Sequence, residues 1–167
     1  MPGSVVVTDG EQRLYYLGSP AEDCGQWMVG LATSADGVHW TKYNDRRTRE
    51  APLAESDPVL APGDAGAWDG ESLAGVAVRD TGRGWELFYS AEGPDGRRAI
   101  GYAWSTDGIA WHRHPDNPVL RPEQDPYAGD TLQVHAVTSD GSTYRLYYEY
   151  GLANGRGVAE GTIRLPL

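Results

Sequence analysis

The chain has 167 residues, a length that suits one domain with a real core. Its 14 Lys and Arg stand against 24 Asp and Glu, a net charge of -10 and a pI near 4.7. That balance excludes nucleic acid and an anionic membrane surface as expected partners, since both need clustered cations. No apolar run is long enough to cross a bilayer, and no basic-then-apolar segment opens the sequence. The expected compartment is therefore the cytoplasm, with secretion after removal of a signal as the alternative. Lys42 is the only lysine, and the abundance of Arg reads as a compositional habit. The only cysteine, Cys24, sits in the polar stretch AEDCGQ with no histidine beside it, so it reads as a bystander. One thiol also rules out an intrachain disulfide and a multi-thiolate zinc site.

Gly (22) and Pro (11) are frequent, and apolar residues come in short runs bounded by Gly, Asp, Asn and Pro, which predicts strands and turns. The first set of strands is expected near Ser4–Val7, Arg13–Leu17, Trp27–Ala32 and Trp40–Tyr43. The second lies near Leu73–Val78, Trp85–Tyr89, Ala99–Ser105 and Trp111–His112. The third covers Leu132–Thr138, Tyr144–Tyr150 and Gly157–Leu165, one strand short. The sets repeat. RLYYLG (13–18), ELFYSA (86–91) and RLYYEY (145–150) align as second strands. VGLATSADGVHW matches IGYAWSTDGIAW at an offset of 71, and Leu73 matches Leu132 at 59. The difference fits within Asn44 to Ser56, a charged segment that reads as an inserted surface loop.

A four-stranded antiparallel unit of this period predicts an all-β chain of about three β-propeller blades, near 4–56, 57–116 and 117–165. A β-sandwich with chance similarity is the alternative. Three blades do not close a ring and leave open sheet edges, so self-association, as a homodimer or another oligomer, is expected.

The two Asp-Gly segments fall between strands. There Gly takes the positive φ of a hairpin turn, and Asp accepts hydrogen bonds from backbone N–H groups two residues on. Asp36, Asp107, Ser34 and Ser105 are thus expected to build turns, and Trp40 and Trp111 to pack between sheets.

The segment IGYAWSTDGIAWHRHPDNPVL resembles the blade signature of the five-bladed propellers in the glycoside hydrolase 43, 32 and 130 group. That signature runs G-x-A-x-S-x-D-G-x-x-W and is followed by N-P-V-L. It is also similar to the Asp-box of sialidases, with one residue fewer between Asp and Trp. The resemblance covers residues 4 to about 163. It implies a fold more than an activity, because the shared motif is scaffold.

Residues that break the repeat are the better functional candidates. Aligning Leu73 with Leu132 pairs Trp68 with Tyr127 and Glu71 with Asp130, two acids at the entrance of inner strands that are either channel-mouth carboxylates or turn caps. Asp69 stands against Ala128, Gln133 against Ala74, His135 against Val76 and Glu149 against Ser90, with Glu92 two residues on. Gln133 and His135, as i and i+2, would share a face of one strand. Glycoside hydrolysis needs a carboxylic acid and a second carboxylate flanking the bond. The resemblance implies an Asp, a second Asp and a Glu on inner strands of different blades. The first inner strand, SVVVT, carries no acid before Asp9, so that set is incomplete here.

Two readings stay open. In one the protein is a glycoside hydrolase-like enzyme, with Asp69 or Glu71 as base, Glu149 as acid and Asp130 tuning it. In the other it is a non-catalytic sugar-binding or assembly module. In both, the ligand is carbohydrate-like and is met by Trp68, Glu92, Tyr127, Gln133, His135 and Tyr150, although rings at these positions also serve as packing between blades. No cofactor is expected, and a channel metal beside His135 lacks a supporting ligand set.

Overall fold

A computed structural model describes residues 3–20, 25–141, 143–152 and 155–165, and Cys24 lies outside them. The first antiparallel sheet has the order β1 (Ser4–Thr8), β2 (Glu11–Gly18), β3 (Met28–Ser34) and β4 (Thr41–Lys42), with β5 (Pro58–Leu60) also paired to β3. The second runs β6 (Ser72–Asp80), β7 (Trp85–Glu92), β8 (Arg98–Ser105) and β9 (His112–Arg113). The third comprises β10 (Leu132–Ser139), β11 (Thr143–Leu152) and β12 (Gly155–Arg164), and among the described residues it has no fourth strand. The predicted strands are thus all present. β5 was not anticipated. It pairs Val29 with Leu60, and in the next unit Leu120 bridges Ile100, so each Pro-Val-Leu segment completes the outer edge of the sheet before it.

Two apolar seams join the three sheets. Tyr15, Leu17, Val29 and Leu31 of the first meet Leu73, Val76, Leu87 and Tyr89 of the second. Phe88, Ile100 and Tyr102 of the second meet Leu132, Val134, Tyr144 and Leu146 of the third. The second sheet is therefore covered on both faces, and β7 is buried along Trp85–Ala91 without alternation. The outer sheets show the other pattern. Burial alternates along β1 and β12, each of which has one covered face. At about 25 cal/mol per Å² of apolar surface, these two seams are the main source of stability.

Polar atoms cross both seams. Ser4 Oγ donates to Val78 O (3.1 Å) and accepts from Val78 N–H (3.0 Å), tying β1 to β6. Ser90 Oγ accepts from Val134 N–H at 2.8 Å. A Cβ on Gly75 would stand 2.6 Å from Val134 O, so only glycine lets β6 and β10 come this close. Tyr144 OH donates to the buried Glu86 at 2.6 Å, joined by Tyr102 OH at 3.3 Å.

The Asp-Gly segments are turn-builders in both copies. Ser34 Oγ and Ser105 Oγ accept from Gly37 N–H (2.8 Å) and Gly108 N–H (2.9 Å), whose φ values are 74° and 75°. Asp36 Oδ1 takes Val38 N–H and His39 N–H, and Asp107 Oδ1 takes Ile109 N–H and Ala110 N–H, all within 2.8–2.9 Å. The His39 side chain and these amides hold the Asp36 carboxyl well below the usual range. The two tryptophans differ. Trp111 packs edge-on against Tyr15 of the first sheet (6.0 Å), whereas Trp40 donates Nε1–H to Gly37 O and joins neither apolar cluster. Trp111 rests on the sheet before its own, and no described sheet precedes that of Trp40.

Burial pushes the Tyr144 and Tyr15 hydroxyls up to about 12 and raises those of Tyr89, Tyr102 and Tyr148 as well. An unfolded tyrosine ionises near pH 10, so this contribution is complete below about pH 10 and is lost as pH climbs through the folded values. Unfolding free energy should fall steeply above about pH 10. At pH 8, Tyr144→Phe should lower it by about 1–3 kcal/mol in urea titrations, because Glu86 loses its shortest donor.

Candidate functional site

The two ends of the sheets carry different chemistry. The Asp-Gly turns lie at the end where β7 begins, since Trp85 pairs with Ser105. At the opposite end β7 finishes at Glu92, which pairs with Ser72 at the entrance of β6 and with Arg98 at the start of β8. Most of the acids singled out by the sequence gather at this second end.

Glu92 Oε2 accepts from Arg98 Nη2 at 2.9 Å, and Arg98 Nη1 donates to Gln133 Oε1 at 3.4 Å. Gln133 pairs across strands with Glu149, which accepts from Arg156 Nη1 at 2.9 Å. These side chains form an arc over the entrances of β6 and β10, from the β7–β8 turn to β12. Glu71 N–H donates to Glu92 O, and Arg98 N–H donates to Asp130 O at 2.9 Å, so the backbone holds both entrances to the arc. The exposed Asp130 side chain meets Arg97 Nη2 at 3.2 Å, and Arg97 also pairs with Glu123. Glu71 is exposed and shows no side-chain partner among the described residues.

Other candidates lie elsewhere. Asp69 is 3% exposed, and its Oδ2 accepts from Tyr89 OH (3.0 Å) and from Arg113 Nε on β9 (2.9 Å). It therefore belongs to the seam and the outer edge of the second sheet. Its apparent departure from the repeat also disappears in space. Asp125, three positions from the aligned Ala128, accepts from Tyr148 OH at 2.6 Å, and Tyr148 is the counterpart of Tyr89. A single 3-10 turn at Pro122–Gln124 accompanies the offset. Trp68 lies against Tyr89 at 5.6 Å with its ring over Gly101, and Tyr150 packs on the second apolar cluster. Tyr127 is exposed.

The expectation that Gln133 and His135 share a face needs correction. The register shifts between Val134 and Ala136, leaving the exposed His135 as the extra residue of a bulge, and strict alternation stops there. Among the described residues, no group of three or more His, Cys, Asp and Glu is placed to hold a metal ion.

Sequence reasoning missed the arginines. Arg98, Arg97 and Arg156 bind the acids into one array, and the signal available was the pair Arg97–Arg98 immediately after an Asp-Gly turn. Arg98 Nε is buried without a partner, so this guanidinium is not fully used by the fold.

No protein-family model and no curated protein sequence matches this chain. Solved structures do. Fructan 1-exohydrolase IIa from Cichorium intybus superposes with a TM-score of 0.69 at 17% identity, over 98% of this chain and 31% of that one. β-1,2-Mannobiose phosphorylase from Listeria innocua gives 0.68 at 18%, over 95% and 42%. The Bombyx mori β-fructofuranosidase BmSUC1 of glycoside hydrolase family 32 gives 0.68 at 15%, over 97% and 32%. The fold is that of the β-propeller glycoside hydrolases and phosphorylases, and the chain spans about a third to two fifths of these three proteins.

Asp69→Ala should lower the unfolding free energy by about 2 kcal/mol, less than a fully buried pair would lose because Arg113 is one-third exposed. Urea titration of both proteins measures it.

Proposed function

We propose that the protein recognises a carbohydrate-like ligand, and that the arc of Glu92, Arg98, Gln133 and Glu149 is where it binds. The observation that carries this reading is the alternation of acceptor and donor along the arc at the entrances of adjacent inner strands. A sugar offers hydroxyls that both donate and accept, and carboxylates held by guanidinium groups give fixed partners for each. Proteins of the same fold have been solved with 1-kestose and with β-1,2-mannobiose, which makes these oligosaccharides the first probes.

Binding without turnover is the favoured form. An acid catalyst must hold a proton for the leaving oxygen. Glu92, Glu149 and Asp130 are each held by an arginine, and the first inner strand brings no acid before Asp9 to complete the set. The expected outcome is retention on a glycan screen with no cleavage of aryl glycosides. Arg98→Met should weaken binding roughly tenfold, the loss of about one charge-assisted hydrogen bond. Turnover that disappears in Glu149→Gln while binding persists would install the catalytic reading, with Glu149 as acid and Glu71 as base.

We also propose that the chain associates with a second copy. Tyr16 holds on the first sheet the position that Tyr89 and Tyr148 hold on the second and third. Those two face a neighbouring sheet, whereas Tyr16, on the face of the first sheet that no described sheet covers, is half-buried and meets Ser56 at 3.3 Å. On that same face Val5 and Val7 of β1 are 55% and 68% exposed. At the other extremity, Val158 of β12 is 77% exposed on the open face of the third sheet. Pairing the two open faces between two copies would close a ring of six sheets. Sedimentation at micromolar concentration should give a dimer, and Val7→Lys should give a monomer. A monomeric parent protein would sink the proposal.

A further inference from the structure

We propose a second ligand site, separate from the arc, in a cavity of about 420 Å³ between the β5–β6 connection and the segment that follows β9, suited to a neutral sugar ring. Pro62–Asp69 forms one wall, and Arg113 and Asn117 lie opposite. The observation that points to a ligand is the state of Asp69. Its side chain is only 4% exposed, and Oδ2 is committed to Tyr89 and Arg113. Oδ1 takes no hydrogen bond among the described residues. It lies beside Gly63, whose missing Cβ would stand 2.2 Å away. Asp69 lines the cavity, so this oxygen is open to a donor that enters it.

Arg113 supplies the complementary half. Nε is on Asp69 and Nη2 is on Ala61 O, while Nη1 has no acceptor among the described residues. Trp68 borders the same cavity, its ring braced by Gly101 and Tyr89. The two walls together thus present an acceptor, a donor and an aromatic ring. Adjacent hydroxyls of a sugar satisfy the first two, and its C–H face covers the third. Asp69 and Arg113 neutralise one another, and the exposed Asp64 leaves the rim negative, which disfavours a sugar carrying a carboxylate. The inference stands on these residues and does not rest on ligand binding at the arc.

The test is a titration of the full chain with methyl glucoside and with glucuronate, followed by proton–nitrogen NMR. The Trp68 indole signal is assigned by its loss in Trp68→Phe. Methyl glucoside should move that signal, and glucuronate should not. Arg113→Lys keeps the charge on Asp69 but has no second nitrogen, and should weaken methyl glucoside binding roughly tenfold, the equivalent of one charge-assisted hydrogen bond. Asp64→Asn, at an exposed position, should admit glucuronate and provides the readout if Arg113→Lys unfolds. The proposal is overturned by an unmoved Trp68 signal, by equal affinity in Arg113→Lys, or by shifts confined to Arg98 and Gln133. That last pattern would leave ligand binding at the arc standing.

Discussion

The second sheet is buried on both faces, and most of the structure follows from that single constraint. Phe88 and Tyr89 are neighbours in sequence, point to opposite sides and are both fully buried. A strand in this position cannot alternate apolar with polar residues, so the few polar atoms it carries must find partners within the seams or across them. Ser90 finds Val134, Glu86 finds Tyr144 and Tyr102, and Tyr89 finds Asp69. Tyrosine suits this duty because it fills a seam with a flat apolar ring and delivers one hydroxyl at its far end. The same pattern explains the raised tyrosine ionisation, which is the electrostatic counterpart of the packing.

The division of labour between the two ends of the sheets follows from the turns. Where β7 begins, each Asp-Gly segment holds one carboxylate oxygen on two backbone amides of its own turn. Where β7 finishes, the chain must pass from an outer edge to the next inner strand, and those crossings present Glu71 at the entrance of β6 and Asp130 beside Arg97 of the β7–β8 turn. Carboxylates at the first end are locked by local hydrogen bonds. At the second they are met by side chains from other strands, an arrangement that a ligand can enter.

Much of this was legible in the sequence. Short apolar runs between turn residues gave every strand but β5, and the spacing of repeated segments gave the sheet architecture and the turn role of Asp36 and Asp107. The site was less legible, and the reasons are specific. Asp69 looked like a departure from the repeat because alignment set it against Ala128, whereas Asp125 does the matching work after a short helical turn. Gln133 and His135 were expected to share a face, but a bulge depends on how two strands pair, which residue types alone do not reveal. The arginines were dismissed as composition, since their partners lie up to 35 residues away.

Local chemistry fixed what depended on neighbours in the chain. The turns, the strand periods and the repeat were set by positive-φ glycines, Asx hydrogen bonds and the alternation of burial. Only the tertiary structure decided which acids stand together, because that choice rests on register across strands and on contacts between sheets. Glu92, Gln133 and Glu149 join one arc through Arg98 and β-pairing, while Asp69, two residues from Glu71, turns instead into the seam.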